Sequence, residues 1–335
     1  MTSRKPYRIL SLDGGGLRGI ITAILLDRLE TSCPGFLASV DLFVGTSTGG
    51  ILALALAAGL PPATLVELYE NQGAKIFQKS IGRDLLSLGN LVGAEYDNRN
   101  LRKILKHTFG SRLLAELNRK VAIPAFKLDT KDRYADGEER GWRPKIFHNY
   151  EGYGSDENEL VADVALYTSS APTYFPTSDS FIDGGVVANN PSMVAVAQAL
   201  DVRCQPSDPL PPRQLKDLVL LSVGTGMSLT YLKGDRLDWG VVQWARPLLN
   251  ILMDGVADIA DFQCCQILGE RYERLQTIFM QDDKLPLDGV KKLSSMISYA
   301  KATQTAGTVN WIGNVWFRES QNNEEKDHEM SHLPS

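Results

Sequence analysis

Short runs of consecutive apolar residues alternate along this chain with longer stretches whose apolar positions recur every three or four residues. The short runs predict buried strands at 7–13, 41–46, near 120–128, at 144–148, 180–183 and 217–223. The longer stretches predict helices at 20–31, 48–59, 99–109, 160–169 and 191–201, with a further helix started by Pro61-Pro62 and running to about Phe77. Strands and helices in alternation predict a three-layer α/β/α sandwich around a central, mostly parallel sheet. Between the elements lie a Gly-rich connection near 82–97, a charged solvated loop or hairpin at 129–143 and a connector at 201–216 carrying four prolines. From about Glu319 onward the chain is polar with almost no apolar content, and it reads as a disordered tail behind one domain spanning 5–318.

Three of the predicted strands end in glycine clusters, and the polar residues there are the candidates for chemistry. Leu42-Phe-Val44 runs into Gly45-Thr-Ser-Thr-Gly49 and then an apolar helix. A Gly-x-Ser-x-Gly turn between a strand and a helix exposes the serine hydroxyl, with Gly45 and Gly49 relieving crowding beside Thr46 and Thr48. Ser47 is thereby a candidate nucleophile, next to the free N–H groups of a helix N-terminus. Its base is not a histidine by pattern. The chain has four: His328 and His332 lie in the polar tail, His107 follows an amphipathic helix and reads as solvated, and His148 ends a short strand ahead of every late acidic candidate. Asp183 is the better candidate, because the strand 180–183 delivers it into the break Gly184-Gly185, where the absent side chains permit close approach of another segment. Asn189-Asn-Pro-Ser192 beyond it reads as a helix cap.

Strand 7–13 ends in Asp13-Gly-Gly-Gly-Leu-Arg-Gly19. These glycines fit Gly-x-Gly-x-x-Gly, but the acidic residue that a dinucleotide fold needs at the end of the next strand is missing, since Asp41 precedes its strand. A phosphate-binding P-loop is excluded by the lack of Gly-Lys-Ser/Thr. What remains is anion stabilisation by the N–H groups of Gly14, Gly15 and Gly16, with the positive charge of Arg18 nearby.

Taken together, the motifs at 13–19, 45–50 and 183–185, with Ser170-Ala-Pro-Thr-Tyr-Phe-Pro176 and Leu220-Leu-Ser-Val-Gly-Thr-Gly226, resemble the patatin-like phospholipase family over roughly residues 5–230. The chain has Asp183-Gly-Gly185 where the family often has Asp-Gly-Ala. The resemblance implies a lipid acyl hydrolase with a Ser-Asp dyad, Ser47 as nucleophile, Asp183 as base and the loop 14–19 as oxyanion hole, requiring no cofactor and no metal. A lone carboxylate is a weak base for serine unless a dry site raises its pKa, so an apolar pocket is expected. Two other readings follow: a membrane-degrading effector of bacterial antiviral defence triggered by a nucleotide, as some bacterial patatin-like proteins are, and a non-catalytic lipid-binding or signalling module.

Composition narrows the setting. The chain has 335 residues, 43% hydrophobic and 22% charged, with a formal charge of −5. That balance excludes a generally basic surface for nucleic acid. Cys33, Cys204, Cys264 and Cys265 follow neither a zinc pattern nor a disulfide framework, as expected of reduced thiols in the cytoplasm. The residues ahead of Tyr7 lead straight into a core strand, so no leader is expected. The apolar run Ile51–Leu60 is about half a bilayer span, and phospholipid is expected to be met by transient contact with a membrane surface. A small-molecule activator or a homo-oligomer is left open. Residues 237–268 are amphipathic with an aromatic start at Trp239 and Trp244. They are expected to form either a core helix or, with the segment up to 306, a lid or membrane-docking element over the Ser47 pocket.

Overall fold

The computed structural model describes residues 5–77, 94–130, 140–204, 212–228, 238–280, 283 and 285–318. The predicted connection near 82–97 and loop 129–143 fall largely outside them, as do residues 205–211 of the connector 201–216 and the whole of the tail from 319.

The architecture is a three-layer α/β sandwich around a mostly parallel sheet. Its centre is β1 (Tyr7–Leu12), flanked by β2 (Leu42–Gly45) and β6 (Leu218–Val223), both parallel to it. Beyond β2 lies β3 (Lys120–Lys127), parallel, and then β4 (Arg143–His148), antiparallel; beyond β6 lies β8 (Tyr272–Leu275), parallel. The short β5 (Phe181–Asp183) also pairs with β3, antiparallel. A two-stranded ribbon, β7 (Met227–Ser228) and β9 (Ile278–Phe279), extends past β6 and β8.

Side-chain alternation divides the strands between two cores. Leu10, Leu12, Phe43, Val121, Ile123, Leu221 and Val223 face one helical layer. That layer contains α1 (Gly19–Ser32), α2 (Thr48–Ala57), α3 (Pro62–Ile76), α4 (Arg99–Phe109), α5 (Val161–Thr168) and α9 (Leu293–Ala302). Ile9, Leu42, Val44, Leu218 and Leu220 face α7 (Ser192–Leu200) and α8 (Val241–Leu268). Burial on both faces explains why the central strands read as continuous apolar runs.

The predicted elements up to residue 223 are present with ends moved by a residue or two. Several were not predicted. α6 (Gly185–Ala188) turns the segment after Asp183 into one helical turn, where a plain break and cap had been expected. The N-cap of α7 is Pro191, which makes no side-chain cap bond, while Asn190 Oδ1 ahead of it accepts from the Ser192 N–H at 3.1 Å. Strand β8 was missed because Tyr-Glu-Arg-Leu has neither an apolar run nor alternation. The helices α9 and α10 (Ala306–Trp311) follow it.

Candidate active site

The site sits at the carboxyl ends of β1 and β2, neighbours at the middle of the sheet. Leu12 pairs with Gly45, so the glycine loop and the serine turn leave the sheet side by side.

Ser47 occupies φ 55°, ψ −123°, a conformation that costs a non-glycine residue on the order of 1–3 kcal/mol. Its surroundings hold it there. The Ser47 N–H donates to Thr168 Oγ1 at 2.9 Å, and that hydroxyl donates to the Pro124 carbonyl at 2.6 Å. The Thr46 hydroxyl donates to the Ala188 carbonyl at 2.6 Å, and Thr48 bonds the Tyr69 hydroxyl. A Cβ on Gly45 would lie 2.1 Å from the Gly49 carbonyl oxygen, and one on Gly49 2.3 Å from that of Leu12, so backbone packing excludes any side chain at either position.

Asp183 arrives through sheet topology. β2 pairs with β3 only at Lys120–Ala122; past that point β5 takes the vacated edge of β3 and aligns Asp183 with Ala125. The carboxylate thereby stands just above the end of β2. Ser47 Oγ donates to Asp183 Oδ2 at 2.5 Å, and the Gly185 N–H donates to Oδ1 at 2.7 Å. Gly184 is packed on Pro124, whose carbonyl oxygen would be 2.2 Å from a Cβ. Asp183 is 2% exposed. Burial raises its pKa from 3.8 to about 7, against the downward pull of the hydrogen bonds from Ser47 and Gly185.

The glycine loop divides its donors differently from expectation. The Gly14 N–H is taken, donating to the Asn189 carbonyl at 2.9 Å, so Gly14 drops out of the anion-binding set. Its own carbonyl accepts from the Thr225 hydroxyl at 2.8 Å. Among the described residues the N–H groups of Gly15 and Gly16 have no partner, and both residues line the cavity in front of Ser47. Gly16 has φ 56° and lies against the Leu287 carbonyl, which a Cβ would approach to 2.4 Å. Arg18 is half-buried, does not line the cavity, and its Nε has no partner; burial lowers its pKa while Asp254 of α8, Tyr174 and Asp13 raise it.

Beneath the loop, Arg274 of β8 forms two hydrogen bonds to Asp13, at 2.9 and 2.5 Å, and a third to Ser222 Oγ at 2.7 Å. Burial pulls the Arg274 pKa down, but Asp13, with Tyr272 and Asp261, more than offsets it and the guanidinium stays charged. Neither Arg274 nor Thr168 carried a signal in the sequence, because each acts through partners far along the chain.

The cavity holds about 760 Å³ of empty space, its open mouth included. Its walls are mainly apolar, among them Phe77, Leu101, Ile104, Leu105, Phe175 and Met253 of α8. Of α8, Met253 lines this cavity. His107 is exposed on α4 and His148 is buried beside Tyr150; neither lines the cavity. Among the described residues, no group of three His, Cys, Asp or Glu side chains is placed to hold a metal ion, and no helix is long and apolar enough to cross a membrane.

An α/β sandwich that presents a strained serine between a strand and a helix, beside unpartnered glycine N–H groups, is the framework of a serine hydrolase. The Patatin-like phospholipase family matches residues 10–196. The cGAMP-activated phospholipase of Pseudomonas aeruginosa is 34% identical over 303 residues, covering 88% of this chain and 84% of that protein. Patatin-like protein 2 of Arabidopsis thaliana is 29% identical, covering 84% and 76%. The chain belongs to the patatin-like phospholipase family, and it is a lipid acyl hydrolase of the serine hydrolase type.

Proposed function

We propose that the chain is a phospholipase of the A type that cleaves fatty acyl esters of membrane phospholipids through Ser47 and Asp183, within a catalytic unit spanning 5–318. The observation that carries this reading is the hydrogen bond from Ser47 Oγ to a carboxylate buried in an apolar cavity, with a pKa of about 7. A base at that value is half ionised near neutrality and strong enough to accept the serine proton.

In the first half-reaction Asp183 takes the Ser47 proton as Oγ attacks the ester carbonyl, and the N–H groups of Gly15 and Gly16 hold the oxyanion. Collapse expels the lysophospholipid alkoxide, which leaves with the proton held by Asp183. In the second, Asp183 removes a proton from water, the hydroxide attacks the acyl-enzyme, and Ser47 recovers its proton as the fatty acid departs. The apolar walls suit an acyl chain, and substrate enters by transient contact of the cavity mouth with a lipid surface. Mass spectrometry of mixed phospholipid vesicles treated with wild type, Ser47→Ala and Asp183→Asn tests this. Free fatty acid and lysolipid from the wild type alone are expected; product from folded Ser47→Ala would refute the mechanism.

The 34% identity to a cGAMP-activated phospholipase supports a second, finer reading, in which turnover requires a cyclic dinucleotide. Activity that appears only on adding cGAMP would establish it, and full activity without it would exclude it.

A further inference from the structure

The catalytic reading uses only one side of α8. Met253, Ala257, Ala260, Cys264 and Leu268 turn inward, the first to the cavity and the others to the core or partly buried positions. On the opposite side residues 248, 252, 255, 259, 262 and 266 are all exposed, and their spacing is 4-3-4-3-4. Four of them are large and apolar: Leu248, Leu252, Ile259 and Phe262, the last three more than half exposed at 53%, 52% and 59%. Ile251 and Ile267 widen the stripe. Together these six side chains leave on the order of 500 Å² of apolar surface in water, at the upper end of what a monomer ordinarily exposes in one patch.

An apolar repeat averaging 3.5 residues is the seam of a helix pair. This one is self-complementary. With two copies of α8 antiparallel about a two-fold axis near residue 257, Leu248 lies opposite Gln266 of the second copy, Leu252 opposite Phe262, and Gly255 opposite Ile259. Nothing stands within 4 Å of where a Gly255 Cβ would be, so the stripe has an open notch at the position facing the isoleucine. A stripe whose two halves fit each other in reverse order is what an isologous dimer requires. The stripe with its polar margins approaches the roughly 800 Å² per partner of a stable interface. From Leu248 to Leu268 the helix carries three aspartates and no lysine or arginine, which disfavours an anionic bilayer as the occupant.

We propose that this face binds a second copy of the chain, α8 against α8 in that antiparallel register. Asp258 flanks the seam near the axis and meets its own counterpart there, so the dimer is limited by like-charge repulsion. Met253 lines the cavity from the inward side of the same helix, so the pairing face and the site lie on opposite sides of α8.

Sedimentation velocity of the full chain, free of lipid, over a range of concentrations tests the proposal. A concentration-dependent dimer is expected, tightened at least several-fold by Asp258→Asn and abolished by Phe262→Glu, with hydrolysis of a short soluble ester by Phe262→Glu retained. Register is tested in a Cys265→Ser background. Gly255→Cys combined with Ile259→Cys is expected to give an oxidised dimer, and neither cysteine alone. Gly255→Trp separates the occupants, because it fills the notch and weakens pairing but would strengthen binding to phosphatidylcholine vesicles. A wild type that stays monomeric, a Gly255→Cys/Ile259→Cys variant that forms no cross-link, or a Gly255→Trp variant that gains vesicle binding without losing self-association overturns the proposal.

Discussion

Replacing Asp183 by asparagine is expected to abolish turnover and at the same time stabilise the fold at neutral and alkaline pH. The carboxyl group has a pKa of about 7 in the folded chain against 3.8 in its unperturbed state, because it is 2% exposed. Below pH 3.8 both states are protonated and the group does not affect stability. As pH rises from 3.8 to about 7 the unfolded chain gives up the proton first, so folding grows less favourable; above about 7 the loss is complete. Three units at about 1.4 kcal/mol each set an upper bound of about 4 kcal/mol on this cost. Asparagine keeps an acceptor for the Gly185 N–H and can donate to Ser47 Oγ, so the hydrogen bonds are conserved while the ionisation is removed. Differential scanning calorimetry at pH 4 and pH 8 should show little difference from wild type at the lower pH and a rise in Tm on the order of 5 °C at the higher. A variant matching wild type at pH 4 but less stable than it at pH 8 would show that the charged carboxylate is a net stabiliser and would refute this reasoning. Retained turnover would remove Asp183 from the mechanism.

Because Asp183 must be ionised to accept a proton, kcat/KM for a short soluble ester should rise tenfold per pH unit below about 7 and level off above it; a flat profile to pH 5 would refute its role as base. Ser47→Gly should abolish hydrolysis yet raise Tm, since glycine relieves the positive φ at that position by about 1 kcal/mol. Gly16→Ala is expected to lower kcat by roughly 10²- to 10³-fold, because a Cβ would strike the Leu287 carbonyl and displace a free N–H donor. Arg274→Met leaves Asp13 buried and unpaired, and chemical denaturation should show a loss of about 3–5 kcal/mol. Ile104→Trp narrows the cavity and should shift preference toward shorter acyl esters in a chain-length series, with unchanged kcat on the shortest.

Much of this protein is determined locally. Continuous apolar runs specify strands buried on both faces, and helical periodicity specifies the layers that cover them. The glycines at 45 and 49 mark a turn in which backbone packs on backbone, so the serine elbow is legible within a ten-residue window. Asp183 could be singled out for the same reason, as an acid delivered by a strand into a glycine break. Its partnership with Ser47 spans 136 residues, however, and exists because β5 runs antiparallel into the edge of β3 that β2 leaves open. The raised pKa is likewise a product of enclosure by several elements, which no single segment encodes. The glycine loop illustrates the division most sharply. Its composition announced unhindered N–H groups, but tertiary contact decided which remain free: Asn189 consumes that of Gly14 and leaves those of Gly15 and Gly16. Arg274 was invisible because it reaches Asp13 across 261 residues from a strand with no apolar run, held in the sheet by its neighbour β6. Propensity and periodicity act over a turn or a strand, whereas the pairing of charges, the burial of a carboxylate and the occupancy of a donor depend on which distant segments the sheet order brings together.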